Sequence, residues 1–215
     1  MSQLASALVL NIGTLTVDFV EAMKLAARSA NQKGIPVVLD VCGAGATALR
    51  DRKSLELLNE VRIDVIKGNV SEVARVSGES AQTRGVDATE VGGDLALLAE
   101  KLARQRQATV VITGKVDIAT DGKQSYRIGN GHSMMTQVVG TGCMAASVIG
   151  AFAAVERDLA LAAACALACY GIAGEAAAET PSGPAAFKER LFDCLYNLDR
   201  ATVERMQKIE AREAM

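Results

Sequence analysis

Short apolar segments that end at polar residues or glycine constrain the fold of this 215-residue chain more than any other feature. Unbroken apolar runs of this length are typical of strands that a parallel sheet buries on both faces. The clearest are residues 35–39 and 109–112, with a shorter candidate at 64–66 that begins with Asp64; they are followed by Asp40, by Thr113-Gly114 and by Lys67-Gly68-Asn69. The pattern predicts several strands of one parallel sheet.

Helical patterns separate these runs. Apolar residues recur every three or four positions from Val17 to Ala30, with Thr16 as a candidate cap and Gly34 as a candidate stop. Alternating strands and helices favour an α/β fold that is built from right-handed crossovers. We therefore predict a single domain over residues 1–215, with a doubly wound, mostly parallel sheet and helices on both faces.

The later part of the chain changes pattern. Asp121-Gly122 favours a tight turn between residues 116–120 and 123–128, so an antiparallel pair should extend the sheet. From Gly142 onward the pattern is nearly all helical and ends in a charged tail.

Composition excludes several classes of protein. The 23 Lys and Arg are scattered among the 25 acidic residues, so we expect no basic stripe and no nucleic-acid partner. The longest apolar runs, such as residues 159–170, are shorter than the roughly 20 residues of a membrane span, and residues 1–15 lack the charged start of an export signal. The short apolar runs predict no membrane association. The five cysteines form no C-x-x-C pair, which without an export signal predicts reduced thiols in the cytoplasm.

Polar residues at the strand ends form the candidate site, because ligands of open α/β sheets bind outside the carboxyl ends of the strands. Asp40 could hold Mg²⁺ directly or through water, or it could be a turn residue. Glu72, one helical turn after Asn69, could hold Mg²⁺ through water or only suit the helix dipole. Lys67 could pair with a nucleotide phosphate or be solvated, and Thr113 offers a hydroxyl for nucleotide contact.

The segment Gly140-Thr141-Gly142-Cys143 opens a run of small apolar residues that predicts a helix. The free N–H groups and positive dipole end of such a helix can hold an anion, which suggests phosphoryl chemistry. A thiol in the first turn has its thiolate form favoured, so Cys143 could act as a base or nucleophile, although free cysteines often pack as small hydrophobes. The sole histidine, His132, is more typical of a loop than of a catalytic group.

The loop from Gly43 to Ala48 offers a different interpretation. It matches a relaxed G-x-G-x-x-A dinucleotide pattern after a strand and before a helix, as in NAD-dependent dehydrogenases. Against this, the Asp40 carboxylate beside the loop would repel a pyrophosphate unless a cation intervened, and the pattern follows the second strand of the chain.

An ordered set of motifs resembles the hydroxyethylthiazole kinase family, which is ribokinase-like, and the resemblance covers essentially the whole chain. The motifs are residues 8–14, Asp40 with residues 43–47, residues 68–72, Arg84-Gly85-Val86-Asp87, residues 113–117, residues 140–143, Gly183-Pro184 and residues 195–198. The resemblance implies transfer of phosphate from ATP to the hydroxyl of 4-methyl-5-(2-hydroxyethyl)thiazole in thiamine salvage, and it implies a homotrimer with sites at the subunit interfaces.

The resemblance also implies a role for each candidate residue. It implies that Asp40 and Glu72 bind Mg²⁺ and that Lys67 and Thr113 contact ATP. It implies that Gly140 contacts the thiazole and that Gly140, Thr141 and Gly142 form an anion hole. It also implies that Cys143 is the catalytic base. Related sugar kinases usually have aspartate at that last position. Since phosphoryl transfer depends mainly on positioning and charge stabilisation, a modest base is sufficient.

Three departures from the family pattern change these expectations. Val41 and Cys42 stand where the family usually has proline and valine, and Lys67 stands where arginine is common, which predicts looser ATP binding because lysine lacks the bidentate fork. Family members also begin well before the strand at Leu8, with a strand and a thiazole-contacting methionine, so the resemblance predicts an exposed sheet edge and an altered acceptor pocket. The main hypothesis is a thiazole kinase; the alternatives are a catalytically impaired ATP-binding remnant and an NAD-binding protein.

Overall fold

The structure, a computed structural model, describes residues 4–78, 91–180 and 183–213, where seven strands form one sheet in chain order. The strands are β1 (Leu8–Asn11), β2 (Val37–Asp40), β3 (Val65–Asn69), β4 (Thr109–Thr113), β5 (Asp117–Thr120), β6 (Gln124–Ile128) and β7 (Ile209–Glu213). The pairs from β1 to β4 are parallel and the pairs from β4 to β7 are antiparallel. Five strands therefore run in one direction, which confirms the mostly parallel sheet.

Helices cover both faces of this sheet. In the described parts of the chain they are α1 (Val17–Lys33), α2 (Ala48–Glu60), α3 (Val70–Ser77), α4 (Val91–Arg106), α5 (Thr141–Ala153), α6 (Leu159–Ala178), α7 (Pro184–Tyr196) and α8 (Arg200–Met206), with a 3-10 helix at Ser133–Gln137. The caps of α1 are those predicted: the Thr16 hydroxyl accepts from Phe19 N at 3.1 Å, and Gly34 has a φ of 77°.

The two faces hold separate apolar cores. α1 to α4 pack on one face against side chains that include Val37 and Leu39, whereas α5 to α7 pack on the other face against Val38. β2 is buried at all four positions because its successive side chains point to opposite, equally covered faces. The unbroken apolar runs in the sequence therefore have the cause that was inferred, and the predicted α/β fold with helices on both faces is confirmed.

The hairpin prediction is confirmed and the prediction for the tail is wrong. β5 and β6 pair antiparallel, and Gly122 between them has a φ of 86°. The charged tail contains β7, which pairs with β6 from Ile209 opposite Ile128 to Glu213 opposite Gln124. β7 is half exposed and mixes charged with apolar residues, so its strand conformation comes from pairing and not from local propensity.

Helix α6 is longer than the apolar run counted in the sequence. Its 20 residues are apolar enough, by length and composition alone, to cross a membrane. About two thirds of it is buried, and it packs between α5, α7 and the sheet. The burial of α6 in the middle of the α5 to α7 layer accounts for its apolar composition.

Candidate active site

The carboxyl ends of β2 and β3 bring Asp40 and Lys67 together in the interior. Asp40 is fully buried, its Oδ1 accepts from Lys67 Nζ at 3.2 Å, and Lys67 is only 4% exposed. Burial raises the pKa of the Asp40 carboxyl, and the positive charge of Lys67 opposes that rise. The two side chains form a buried ion pair, so Asp40 is not the simple turn residue that the sequence left open.

Asn11, at the end of β1, completes the partners of this pair. Its Nδ2 donates to Asp40 Oδ2 at 2.8 Å, and its Oδ1 accepts from Gly13 N at 2.7 Å. A Cβ on Gly13 would stand only 2.8 Å from Asn11 Oδ1, so a side chain there would displace the Asn11 amide. Sequence analysis did not identify Asn11 as a site residue, because its place opposite Asp40 depends on the register of β1 against β2.

Glu72 is held rigidly at the start of α3. It forms a capping box with Asn69: Glu72 N donates to Asn69 Oδ1 at 3.0 Å, and Glu72 Oε2 accepts from Asn69 N at 2.8 Å. Its other oxygen accepts from Gly43 N at 2.7 Å. The negative charge of Glu72 also raises the pKa of Asp40, so the two carboxylates lie close enough to interact.

The glycine loop after β2 does not have the geometry of a dinucleotide site. The amide of Gly43 donates to Glu72, and the amide of Gly45 donates to Asp51 Oδ1 at 2.7 Å. These carboxylates occupy the amides that a pyrophosphate would need, and they add negative charge. The dinucleotide interpretation is therefore wrong for this loop.

The N-terminus of α5 lies against this cluster. Gly140 caps the helix with a φ of 95°, and the first helical hydrogen bond runs from Met144 N to Gly140 O at 2.8 Å. Within the described residues, no partner is seen for the amides of Gly142 and Cys143, as helix geometry dictates. A Cβ on Gly142 would stand 3.3 Å from Lys67 Nζ. The Lys67 ammonium group therefore lies beside the helix turn that carries the two free amides.

Thr141 differs from its neighbours in the predicted anion hole. Its hydroxyl donates to Met135 O at 2.9 Å and is 3.1 Å from Val138 O. Its carbonyl accepts from the hydroxyl of Tyr170 at 3.0 Å. The side chain of Thr141 therefore anchors the turn that opens α5.

Two thiols meet beside the ion pair. The Sγ atoms of Cys143 and Cys42 lie 4.0 Å apart, although 101 residues separate them in the chain. The nearby Cys143 thiol lowers the pKa of the Asp40 carboxyl slightly, against the larger rise that burial causes. Burial raises the pKa of the Cys42 thiol to about 11, and the nearby negative charges add to that rise.

A cavity of about 720 Å³ adjoins these groups. Thr113, at the end of β4, lines it, and the Thr113 hydroxyl is 3.4 Å from Gly68 O. His132 also lines the cavity, where its Nδ1 accepts from Met134 N at 3.2 Å and caps the 3-10 helix, as fits a loop residue. The lining includes Gly114, Asp117, Asn130, Thr141, Gly142 and Tyr170.

Asp117 is a site residue that the sequence analysis quoted only as part of a motif. Its Oδ1 accepts from Gly114 N at 2.8 Å. Burial raises the pKa of Asp117 to about 6, while that hydrogen bond and the charge of Lys67 oppose the rise. Asp117 is thus the acidic group of the cavity wall that is poised to change charge near neutral pH.

The residues present fit Mg²⁺ only together with a nucleotide. Among the described residues, no group of three or more histidine, cysteine or acidic side chains could hold a metal ion alone. Mg²⁺ keeps several waters and often takes one or two carboxylates plus phosphate oxygens. Asp40 and Glu72 match that donor set.

Comparison with known proteins decides the family. The sequence model of the hydroxyethylthiazole kinase family matches residues 1–201. The chain belongs to the hydroxyethylthiazole kinase family. Hydroxyethylthiazole kinase of Methanosarcina mazei is 48% identical over 98% of this chain and 80% of its own length. That of a Roseiflexus species is 50% identical over 90% of this chain and 72% of its own length.

Solved structures agree with this family. The hydroxyethylthiazole kinase protein of Pyrococcus horikoshii superposes with a TM-score of 0.89 at 39% identity, covering 99% of this chain and 80% of that one. A pyridoxal kinase of Staphylococcus aureus superposes with a TM-score of 0.60 at 17% identity, over 96% of this chain and 72% of its own. The second likeness shows the ribokinase-like fold alone. The family motif from Arg84 to Asp87 lies outside the described residues.

Proposed function

We propose that this chain transfers the γ-phosphate of ATP to the hydroxyl of hydroxyethylthiazole. The observation that carries the proposal is the meeting of Lys67, the α5 amides and the Cys143 thiol beside the cavity. These groups come from three separate elements, and together they can neutralise phosphate charge and accept a proton. The family membership supplies the identity of the alcohol.

In this proposal the transferred phosphoryl group lies at the N-terminus of α5. The amides of Gly142 and Cys143 donate to its oxygens, and Lys67 neutralises part of its charge. Gly140 leaves room for the thiazole because nothing lies within 4 Å of a Cβ built on it. Thr113 contacts ATP from the cavity wall, and Thr141 keeps the turn in place through its hydroxyl.

Cys143 then acts as the base. Its thiolate takes the proton of the alcohol, the alcohol oxygen forms a bond to the γ-phosphorus, and the bond from that phosphorus to the bridging oxygen breaks. The electron pair leaves with ADP, and the proton stays on the sulfur. The first turn of α5 holds Cys143 beside the ion pair of Asp40 and Lys67 and so fixes where the proton is accepted.

Asp40 and Glu72 would hold Mg²⁺ beside the phosphates, through water or directly. The ion supplies charge neutralisation for the β- and γ-phosphates. The capping box fixes the Glu72 carboxylate before any ion binds, so little ordering is left for binding to impose. The ion pair with Lys67 likewise fixes the position of the Asp40 carboxylate.

We further propose that residues 1–215 act as one domain in the cytoplasm and assemble as a homotrimer. Val139, next to Gly140 at the site, is 97% exposed, and such a residue suits cover by a neighbouring copy. Light scattering after size-exclusion chromatography tests the assembly: a mass three times that of the chain supports the trimer, and a monomer contradicts it.

The activity is tested by incubating the purified chain with ATP, Mg²⁺ and hydroxyethylthiazole. We expect ADP and thiazole phosphate in equal amounts, with neither formed when thiazole or Mg²⁺ is left out. Pyridoxal serves as the competing alcohol because pyridoxal kinases share the fold. Turnover of pyridoxal alone would overturn the substrate assignment. ATP binding without turnover of thiazole would support the impaired remnant instead.

A further inference from the structure

The paired thiols at the site are not explained by the kinase chemistry, which uses one sulfur. Cys143 Sγ and Cys42 Sγ are 4.0 Å apart, and both side chains are half-buried. Cys42 stands in the turn after β2, and Cys143 stands in the first turn of α5. Both sulfurs therefore lie at element ends, where side chains move more easily than in mid-strand or mid-helix.

We propose that Cys42 and Cys143 form an oxidation site at which peroxide converts the two thiols into a disulfide. The bridge would require the sulfurs to close from 4.0 Å to about 2.05 Å. Gly43 and Gly142 flank the two cysteines and carry no side chain that must move with them. Gly13 adds space, since a Cβ there would be 3.8 Å from Cys42 Sγ.

Hydrogen bonds from Arg50 limit the movement of the backbone at Cys42. Arg50 Nη1 donates to Cys42 O at 2.9 Å and to Ile12 O at 2.8 Å, and its Nη2 donates to Gly13 O at 2.8 Å. These bonds hold the backbone at Cys42. Closure therefore comes from rotation of the two side chains and a small shift of the first turn of α5.

The chemistry consumes one peroxide for each bridge. The sulfur of one thiol attacks a peroxide oxygen, the O–O bond breaks, and water leaves with the formation of a sulfenic acid. The sulfur of the second thiol attacks the sulfenic sulfur, the S–O bond breaks, and a second water carries away the remaining thiol proton. Two thiols and one peroxide give one disulfide and two waters.

The consequence for turnover rests on the proposed function. In the bridged form, Cys143 has no thiolate to accept the proton of the alcohol, and the first turn of α5 is tied to the turn after β2. Peroxide should then stop the kinase reversibly, because a thiol reductant restores both thiols. Formation of the bridge itself does not depend on any kinase activity.

The experiment compares three proteins after treatment with hydrogen peroxide. They are the natural chain, Cys42→Val, which carries the residue usual in the family, and Cys165→Ala/Cys169→Ala/Cys194→Ala, which leaves only the two site cysteines. Bridges are located by mass spectrometry of peptides digested without reductant, and turnover is measured before and after dithiothreitol. Cys42 has no part in the proposed catalysis, so Cys42→Val should match the natural chain before oxidation.

We expect a peptide linked through Cys42 and Cys143, lighter by two hydrogen atoms, in the natural chain and in the triple variant. Both should lose most of their turnover and regain it with dithiothreitol, whereas Cys42→Val should form no such link. Absence of the linked peptide from both proteins would overturn the proposal. A linked peptide in a chain without kinase activity would support the oxidation site and contradict only the proposed function.

Discussion

At the ends of β2 and β3 the charged side chains are packed together and hydrogen-bonded, whereas a cavity of about 720 Å³ lies at the end of β4, the start of β5 and the residues after β6. We call the first region the charged half, defined by Asp40, Lys67, Glu72 and the first turn of α5. The second is the cavity half, defined by Thr113, Asp117, Asn130, Tyr170 and Gly171. The charged half has its groups in fixed positions before any ligand arrives, and the cavity half offers space. Reaction chemistry is therefore expected in the first region and ligand binding in the second.

The largest effect should come from breaking the buried ion pair of the charged half. Lys67→Met leaves the fully buried Asp40 without its cation, which costs about 3–5 kcal/mol of unfolding free energy. Loss of the charge at the phosphate should also lower turnover by about 100-fold. Thermal unfolding and kcat/KM for ATP measure the two effects.

The matched control for that variant is Lys67→Arg, which keeps the cation and supplies a fork for phosphate. We expect it to fold like the natural chain and to lower KM for ATP. If Lys67→Met and Lys67→Arg gave the same kinetics, the charge would have no role in catalysis, and the distinction between the two halves would fail.

Steric crowding should affect stability most in the cavity half. A Cβ on Gly171 would stand 2.6 Å from the backbone of Asn130, whereas a Cβ on Gly142 meets only the end of the Lys67 side chain at 3.3 Å. Gly171→Ala should cost about 1–3 kcal/mol, because backbone must shift. Gly142→Ala should cost less stability. Chemical denaturation of both variants checks the order, and a reversed order would contradict it.

The charge of Asp117 provides a pH-dependent test of the cavity half. Burial raises its pKa to about 6, so from about pH 4 to pH 6 the folded state binds more protons than the unfolded state, and stability falls as pH rises. Asp117→Asn keeps an acceptor for Gly114 N and removes this loss. We expect the variant to gain at most about 3 kcal/mol at pH 7.5 and much less at pH 4. Unfolding curves of both proteins at the two values check this, and an equal difference at both would contradict it.

The smallest effect should come from the hydrogen bond that joins the halves. Tyr170, in the cavity half, donates from its hydroxyl to Thr141 O in the first turn of α5 at 3.0 Å. Tyr170→Phe removes that bond and should cost about 1 kcal/mol with a few-fold fall in kcat. Unfolding and kinetic measurements test it; unchanged kcat would show that the turn is held without Tyr170.

Residues at strand ends could be predicted from the sequence alone. Asp40 and Lys67 each follow the apolar residues of a predicted strand, and parallel strands put such ends at one edge, so their proximity follows from topology. The loop from Gly140 to Cys143 could be assigned to a helix N-terminus because its glycines precede a helical pattern. What these residues bind came from the family resemblance, since strand ends and glycine loops serve many ligands.

Contacts between distant segments could not be predicted. Nothing local in the sequence shows that Cys42 faces Cys143, or that Asn11 holds Asp40, because both contacts depend on how α5 and β1 pack against β2. The strand β7 was missed for the same reason, since it owes its conformation to pairing with β6. Glu72 was a special case: the sequence offered metal binding or an interaction with the helix dipole, and the capping geometry is compatible with both.

The central claim is that Cys143 is the base of a phosphoryl transfer, and three proteins test it most directly. Turnover of hydroxyethylthiazole with ATP and Mg²⁺ is compared for the natural chain, Cys143→Ala and Cys143→Asp. We expect Cys143→Ala to lose about 100-fold or more in kcat, and Cys143→Asp, which carries the residue usual in related sugar kinases, to keep or improve it. Equal rates for all three proteins would contradict the assignment of Cys143 as the base.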